Sequence, residues 1–238
     1  MEKKMRQFYI DVLNCNYGKN KCPQASKSFC NGWVPRGFSP QNIANPKILV
    51  VGKNPGHPLN GETKYYKNKK GKALMTARKE WSKEWKNRLK NTRDMSLKYQ
   101  HNLRRYLRYF LGLTEKLETY DEYKQVYSIQ FEKEIEKAVS ITNLFKCSTE
   151  CEQEKIKGSS FDVCYDKFFV RELDLIQPQI ILALGDEVTK YLKRKKLRLP
   201  LFSIKHPSNF YKKADESDIL CSIKKSGSPG RFKVIHFF

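Results

Sequence analysis

Ile48-Leu49-Val50-Val51-Gly52-Lys53-Asn54-Pro55-Gly56-His57-Pro58 is the stretch on which the reading of the fold turns. Four consecutive aliphatic residues, mostly β-branched, run into Gly-Lys-Asn-Pro-Gly, the pattern of a buried strand stopped by a turn at its carboxyl end. In an open parallel sheet, ligands bind in the crevice beyond that end. An ordinary β-turn after a core strand is the competing reading of this stretch taken alone, because short Gly/Pro motifs are common.

Working outward, three further apolar runs have the same form. Val139 to Phe145 is a second strand with Asn143 near its end. Ile180-Ile181-Leu182-Ala183-Leu184 stops at Gly185, and Pro200 to Ile204 leads to Lys205-His206-Pro207-Ser208. Helical spacing fills the intervals: residues 2–14, a segment containing Leu103, Tyr106, Leu107 and Phe110 with basic residues on the other faces, residues 121–138, Phe168 to Ile176, and Glu187 to Lys196. Strands alternating with helices predict βαβ units, and so a three-layer α/β/α sandwich around a central, mostly parallel four-stranded sheet. We read residues 1–238 as a single domain with a basic insertion at about 58–108. Three of the four strands end in a side chain useful for chemistry: Asn54, Asn143 and His206.

Lys+Arg 47 against Asp+Glu 25 gives a formal charge of +22. An excess of that size predicts a polyanionic partner, with nucleic acid as the default, because neutralised phosphates release counterions. No apolar run approaches the roughly 20 residues needed to span a bilayer. The opening Met-Glu-Lys-Lys-Met-Arg lacks the apolar core of a signal peptide. The expectation is an intracellular protein with no membrane partner. Its seven cysteines are then better candidates for metal or cluster ligands than for disulfides.

The motifs in order are GKNPG (52–56), ITNLFKC (141–147), a cysteine at 164, QPQIILALG (177–185) and HPS (206–208). Together they resemble the uracil-DNA glycosylase superfamily, most closely its iron–sulfur (family 4/5-like) branch, where the corresponding motifs resemble GEAPG, TNVVKC, PKVIVALG and HPS. Lys53-Asn54 departs from that branch and is similar to the GINPG of the mismatch-specific glycosylases. The family's compact N-terminal Cys-x-x-Cys is also missing.

The resemblance implies a DNA repair enzyme that flips uracil out of the stack and hydrolyses its N-glycosidic bond, leaving an abasic site. The partner would be uracil-containing DNA, single- or double-stranded, and the protein a monomer. The implied uracil reader is Asn143, whose amide can donate to a carbonyl oxygen and accept from the ring N–H, a pairing that cytosine cannot satisfy. His206 would donate to the uracil O2 as negative charge builds there. Asn54 occupies a position where another branch carries an Asp; an amide cannot take a proton, so Asn54 would only orient the water. Gly52, Lys53, Pro55 and Gly56 in the first motif, His57 directly after it, and Ser208 complete the substrate-binding set. Implied ligands of a [4Fe–4S] cluster, with zinc as the alternative, are Cys15, Cys22, Cys147 and Cys164, and Cys30 can replace one of the first two. The rival reading is a catalytically weak or inactive nucleic-acid-binding protein of the same fold.

Overall fold

The computed structural model describes residues 2–13, 15, 45–53, 73, 76, 77, 79, 80, 83, 87, 98–126, 129–147 and 158–206. Most of the basic insertion lies outside them. In chain order the elements are α1 (Glu2–Leu13), β1 (Ile48–Gly52), α2 (Lys98–Phe110), α3 (Tyr120–Val126), α4 (Ile129–Ala138) and β2 (Val139–Asn143). There follow α5 (Gly158–Cys164), a π-helical turn (Tyr165–Phe169), α6 (Val170–Ile176), β3 (Ile180–Leu184), α7 (Asp186–Arg194) and β4 (Leu201–Ile204).

Among the described residues four strands form one sheet in the order β2-β1-β3-β4. Every pairing is parallel. β1 is buried along its whole length, as its unbroken aliphatic run requires for a strand covered on both faces. Its side chains alternate between two cores. Leu49 and Val51 join Ile181 and Ala183 in a cluster with α1, α5, the π turn, α6 and α7. Ile48 and Val50 join Leu182, Leu184 and Ile204 in a second cluster with Leu103, Tyr106 and Leu107 of α2 and Ile135 of α4. Helices therefore cover both faces, and the architecture is the three-layer α/β/α sandwich expected. Each fully buried aliphatic side chain of β1 contributes about 1.5–3 kcal/mol.

Several local expectations are corrected. The charged segment 121–138 is two helices, not one. The helix expected from Phe168 begins ten residues earlier, at Gly158, so Cys164, in a stretch whose polar sequence suggests a loop, lies on a helix. The arginines of α2 are not all solvated: Arg105 and Arg108 are buried, and Arg108 pairs with Glu118 at 3.2 Å. Burial pushes the Glu118 carboxyl above the usual range, against the pull of Arg108. Arg104 also reaches Glu132 and ties α2 to α4. Residues 233–238, whose sequence suggests an edge strand, lie outside the described residues.

Candidate active site

Parallel pairing brings the carboxyl ends of all four strands to one edge of the sheet. β2 and β4 flank the β1–β3 pair, so the chain leaves the sheet in opposite directions between β1 and β3, a topological switch point of the kind at which α/β sheets bind ligands. Lys53 after β1 and Gly185 after β3 border this crevice.

Asn143 and Gly52 are register partners, and the Asn143 side chain lies over the glycine. A Cβ at position 52 would stand closer than 3.0 Å to Asn143 Oδ1. The constraint on position 52 is this close approach to a side chain, not its backbone conformation. The pairing continues past the strands: Leu144 N–H donates to the Gly52 carbonyl and Phe145 N–H to that of Lys53, both at 2.8 Å. Gly52→Ala is expected to displace the carboxamide at little cost to folding. The cross-peaks of the Asn143 side-chain amide should shift in NMR spectra while the melting temperature changes by only a few degrees. An unmoved amide would refute the contact.

On the other side of the crevice, Gly185 adopts φ 86° and donates its N–H to the Ile204 carbonyl at 2.7 Å. A Cβ there would meet His206 Cβ at 3.6 Å. His206 follows β4 by two residues and packs against Tyr99 of α2, with ring centroids 5.3 Å apart and planes inclined by 31°. Burial also pushes the Tyr99 phenol up.

Burial holds the His206 imidazole below its usual range. The unfolded chain therefore takes up this proton first, so the contribution to stability is complete above about pH 6.5 and is lost as pH falls below it toward the folded-state value. An NMR titration should place the His206 midpoint below that of an exposed imidazole, and His206→Asn should flatten part of the loss of melting temperature between neutral and mildly acidic pH. A midpoint at or above the free value would contradict this.

Lys53 has its ammonium 2.8 Å from Glu187 in the first turn of α7, across the mouth of the crevice. Asn54, Pro55, Gly56, His57 and Ser208 lie outside the described residues; of the expected set, the structure places Gly52, Lys53, Asn143 and His206 along the carboxyl edge of one sheet. Sequence reasoning missed Tyr99, Glu187 and the buried residues around Lys146. Glu172 carried a legible signal: it stands in the apolar stripe of Phe168, Phe169 and Ile176, at helical spacing, where a solvated carboxylate has no place.

Cys15, Cys147 and Cys164 are all buried and belong to the apolar cluster that includes Phe145 and Phe161. Cys22 and Cys30 lie outside the described residues. Among the described residues no group of three or more His, Cys, Asp or Glu side chains is gathered to hold a metal ion. No helix among them is long and apolar enough to cross a membrane.

A search of curated proteins produced no significant match. The family model described as Uracil DNA glycosylase superfamily matches residues 39–223, a span that contains the whole sheet and both sides of the crevice. With that match over most of its length, the chain belongs to the uracil DNA glycosylase superfamily, whose members act on DNA as base glycosylases.

Proposed function

We propose that the protein removes uracil from DNA, reading the base with Asn143 and stabilising the departing anion with His206. The observation that carries this reading is the seating of the Asn143 carboxamide over Gly52, at the carboxyl edge of the same sheet that ends in His206. β2 and β4 are three strand spacings apart, about 14 Å between backbones at about 4.8 Å each. That interval suits an asparagine, a flat pyrimidine and an imidazole in a row.

The amide donates to uracil O4 and accepts from N3–H. The imidazole, kept neutral by its burial, donates to O2, where charge grows only as the glycosidic bond breaks; such selective stabilisation is usually the largest catalytic term. Asn54 orients the attacking water. Because an amide cannot accept the proton, general-base assistance of about 10²–10⁴-fold is absent, and turnover is slower than in a relative with an Asp. The net charge of +22 supplies the affinity for the DNA backbone.

The proposal includes the iron–sulfur branch and a [4Fe–4S] cluster on Cys15, Cys22, Cys147 and Cys164, with zinc as the alternative metal. Three of these thiols lie in one apolar core, and soft thiolates suit either metal. The cluster would supply a structural clip between the N-terminal segment and the sheet. Iron and sulfide analysis with an absorbance spectrum tests it: about four irons per chain and a broad visible shoulder are expected, both lost in Cys147→Ser/Cys164→Ser. A colourless, iron-free protein purified without air would exclude the cluster.

The activity is tested by incubating the protein with oligonucleotides carrying uracil in single strands, opposite adenine or opposite guanine, then cleaving abasic sites with alkali. Strand breaks at uracil, absent at cytosine and thymine, are expected. Tight, salt-sensitive binding with no breaks on any substrate would favour a binding protein of the same fold.

A further inference from the structure

Lys146 and Glu172 form an ion pair with both side chains 1% exposed. The Lys146 ammonium has three N–H groups, and three acceptors surround it: the Glu172 carboxylate, Thr142 Oγ1 at 2.6 Å and the main-chain carbonyl of Asn143 at 2.7 Å. The Thr142 hydroxyl donates to Glu172 Oε2 at 2.7 Å, and the Tyr9 hydroxyl to Glu172 Oε1 at 3.3 Å. The Phe169 ring lies 5.7 Å from the ammonium. One carboxylate of α6 thus gathers α1, the end of β2 and the turn that follows it.

A pair this deep is poor evidence of a stabilising role, because well-packed apolar side chains would serve as well. Its position is more informative, since one of the three donors is spent on the carbonyl of the residue that carries the carboxamide. We infer that Lys146 is a positioning residue: it pins the Asn143 main chain, and so holds the side-chain amide on Gly52 in the orientation that the base must match. The inference rests on the role proposed for Asn143. The π turn serves the same end. Cys164 and Glu172 are eight residues apart, which in an α-helix leaves them about 80° out of phase. The wider π turn winds less per residue, and both side chains face the core.

The test is the double variant Lys146→Met/Glu172→Leu, which removes both charges together, with Thr142→Val as a milder second variant. Amide exchange at Asn143, Leu144 and Phe145 should quicken at least about tenfold in the double variant while Ile181 and Gly185 keep their protection. Single-turnover uracil release should slow by about 10-fold or more with little change in the KM for DNA, as expected when a reacting group is misplaced. Thr142→Val should move both readouts in the same direction by less. Unchanged exchange at 143–145 in both variants overturns the inference. So does exchange that rises equally throughout the sheet in both, because the network would then be merely structural. If the parent protein releases no uracil, the proposed function fails, while the exchange measurement still decides whether Lys146 holds Asn143.

Discussion

Asn143→Asp is expected to slow uracil release by at least about 10²-fold while leaving DNA affinity within a few-fold of the parent. A carboxylate offers two acceptors and no donor, so uracil O4 would face a negative oxygen where it had an N–H. Sites built on buried polar matching reject a mismatched partner strongly, because the groups left unpaired lose their hydration as well. Affinity should survive because it comes from phosphates met by a surface of net charge +22. Single-turnover assays on a uracil oligonucleotide, with a binding titration at fixed salt, separate the two quantities. Release within threefold of the parent rate would remove Asn143 from the site.

Glu172→Leu is expected to produce the largest loss of stability of any single substitution considered. The Lys146 ammonium would remain buried with its counter-charge gone, and breaking a buried pair from one side costs about 3–5 kcal/mol. Lys146→Met/Glu172→Leu should regain most of that loss, since two charges out of water are replaced by two apolar side chains. Urea unfolding of the parent, the single and the double variant measures both effects. A single variant within about 1 kcal/mol of the parent would mean that water or another anion reaches Lys146.

The sheet was legible because its strands are apolar runs with hard stops. Gly52 and Gly185 each end a run, and β1 and β3 lie within a residue of where the pattern puts them. The apolar pattern of β2 runs two residues past the strand's end, through Phe145, because Leu144 and Phe145 are as apolar as the strand and still donate back to the β1 side. The helical pattern before β3 covers less than the helix itself for a physical reason: a π turn breaks the 3.6-residue period by which amphipathic helices are recognised. Asn143 and His206 could be found because each follows an apolar run and stands in a motif. Tyr99 could not, since its contact with His206 joins positions over a hundred residues apart. Lys146 was hidden for the opposite reason, as a lysine in a chain with 47 basic residues is expected in solvent.

The π turn between α5 and α6 adds a residue to a rod whose two ends answer to different neighbours. Were all five residues of 165–169 wound as ordinary α-helix, Glu172 would swing by about 80° relative to Cys164. Glu172 would then leave the core, stranding an ammonium inside it. The slower winding of the turn works as a phase corrector: it absorbs the surplus residue and lets a single helix carry a thiol and a carboxylate to the same side of the sheet.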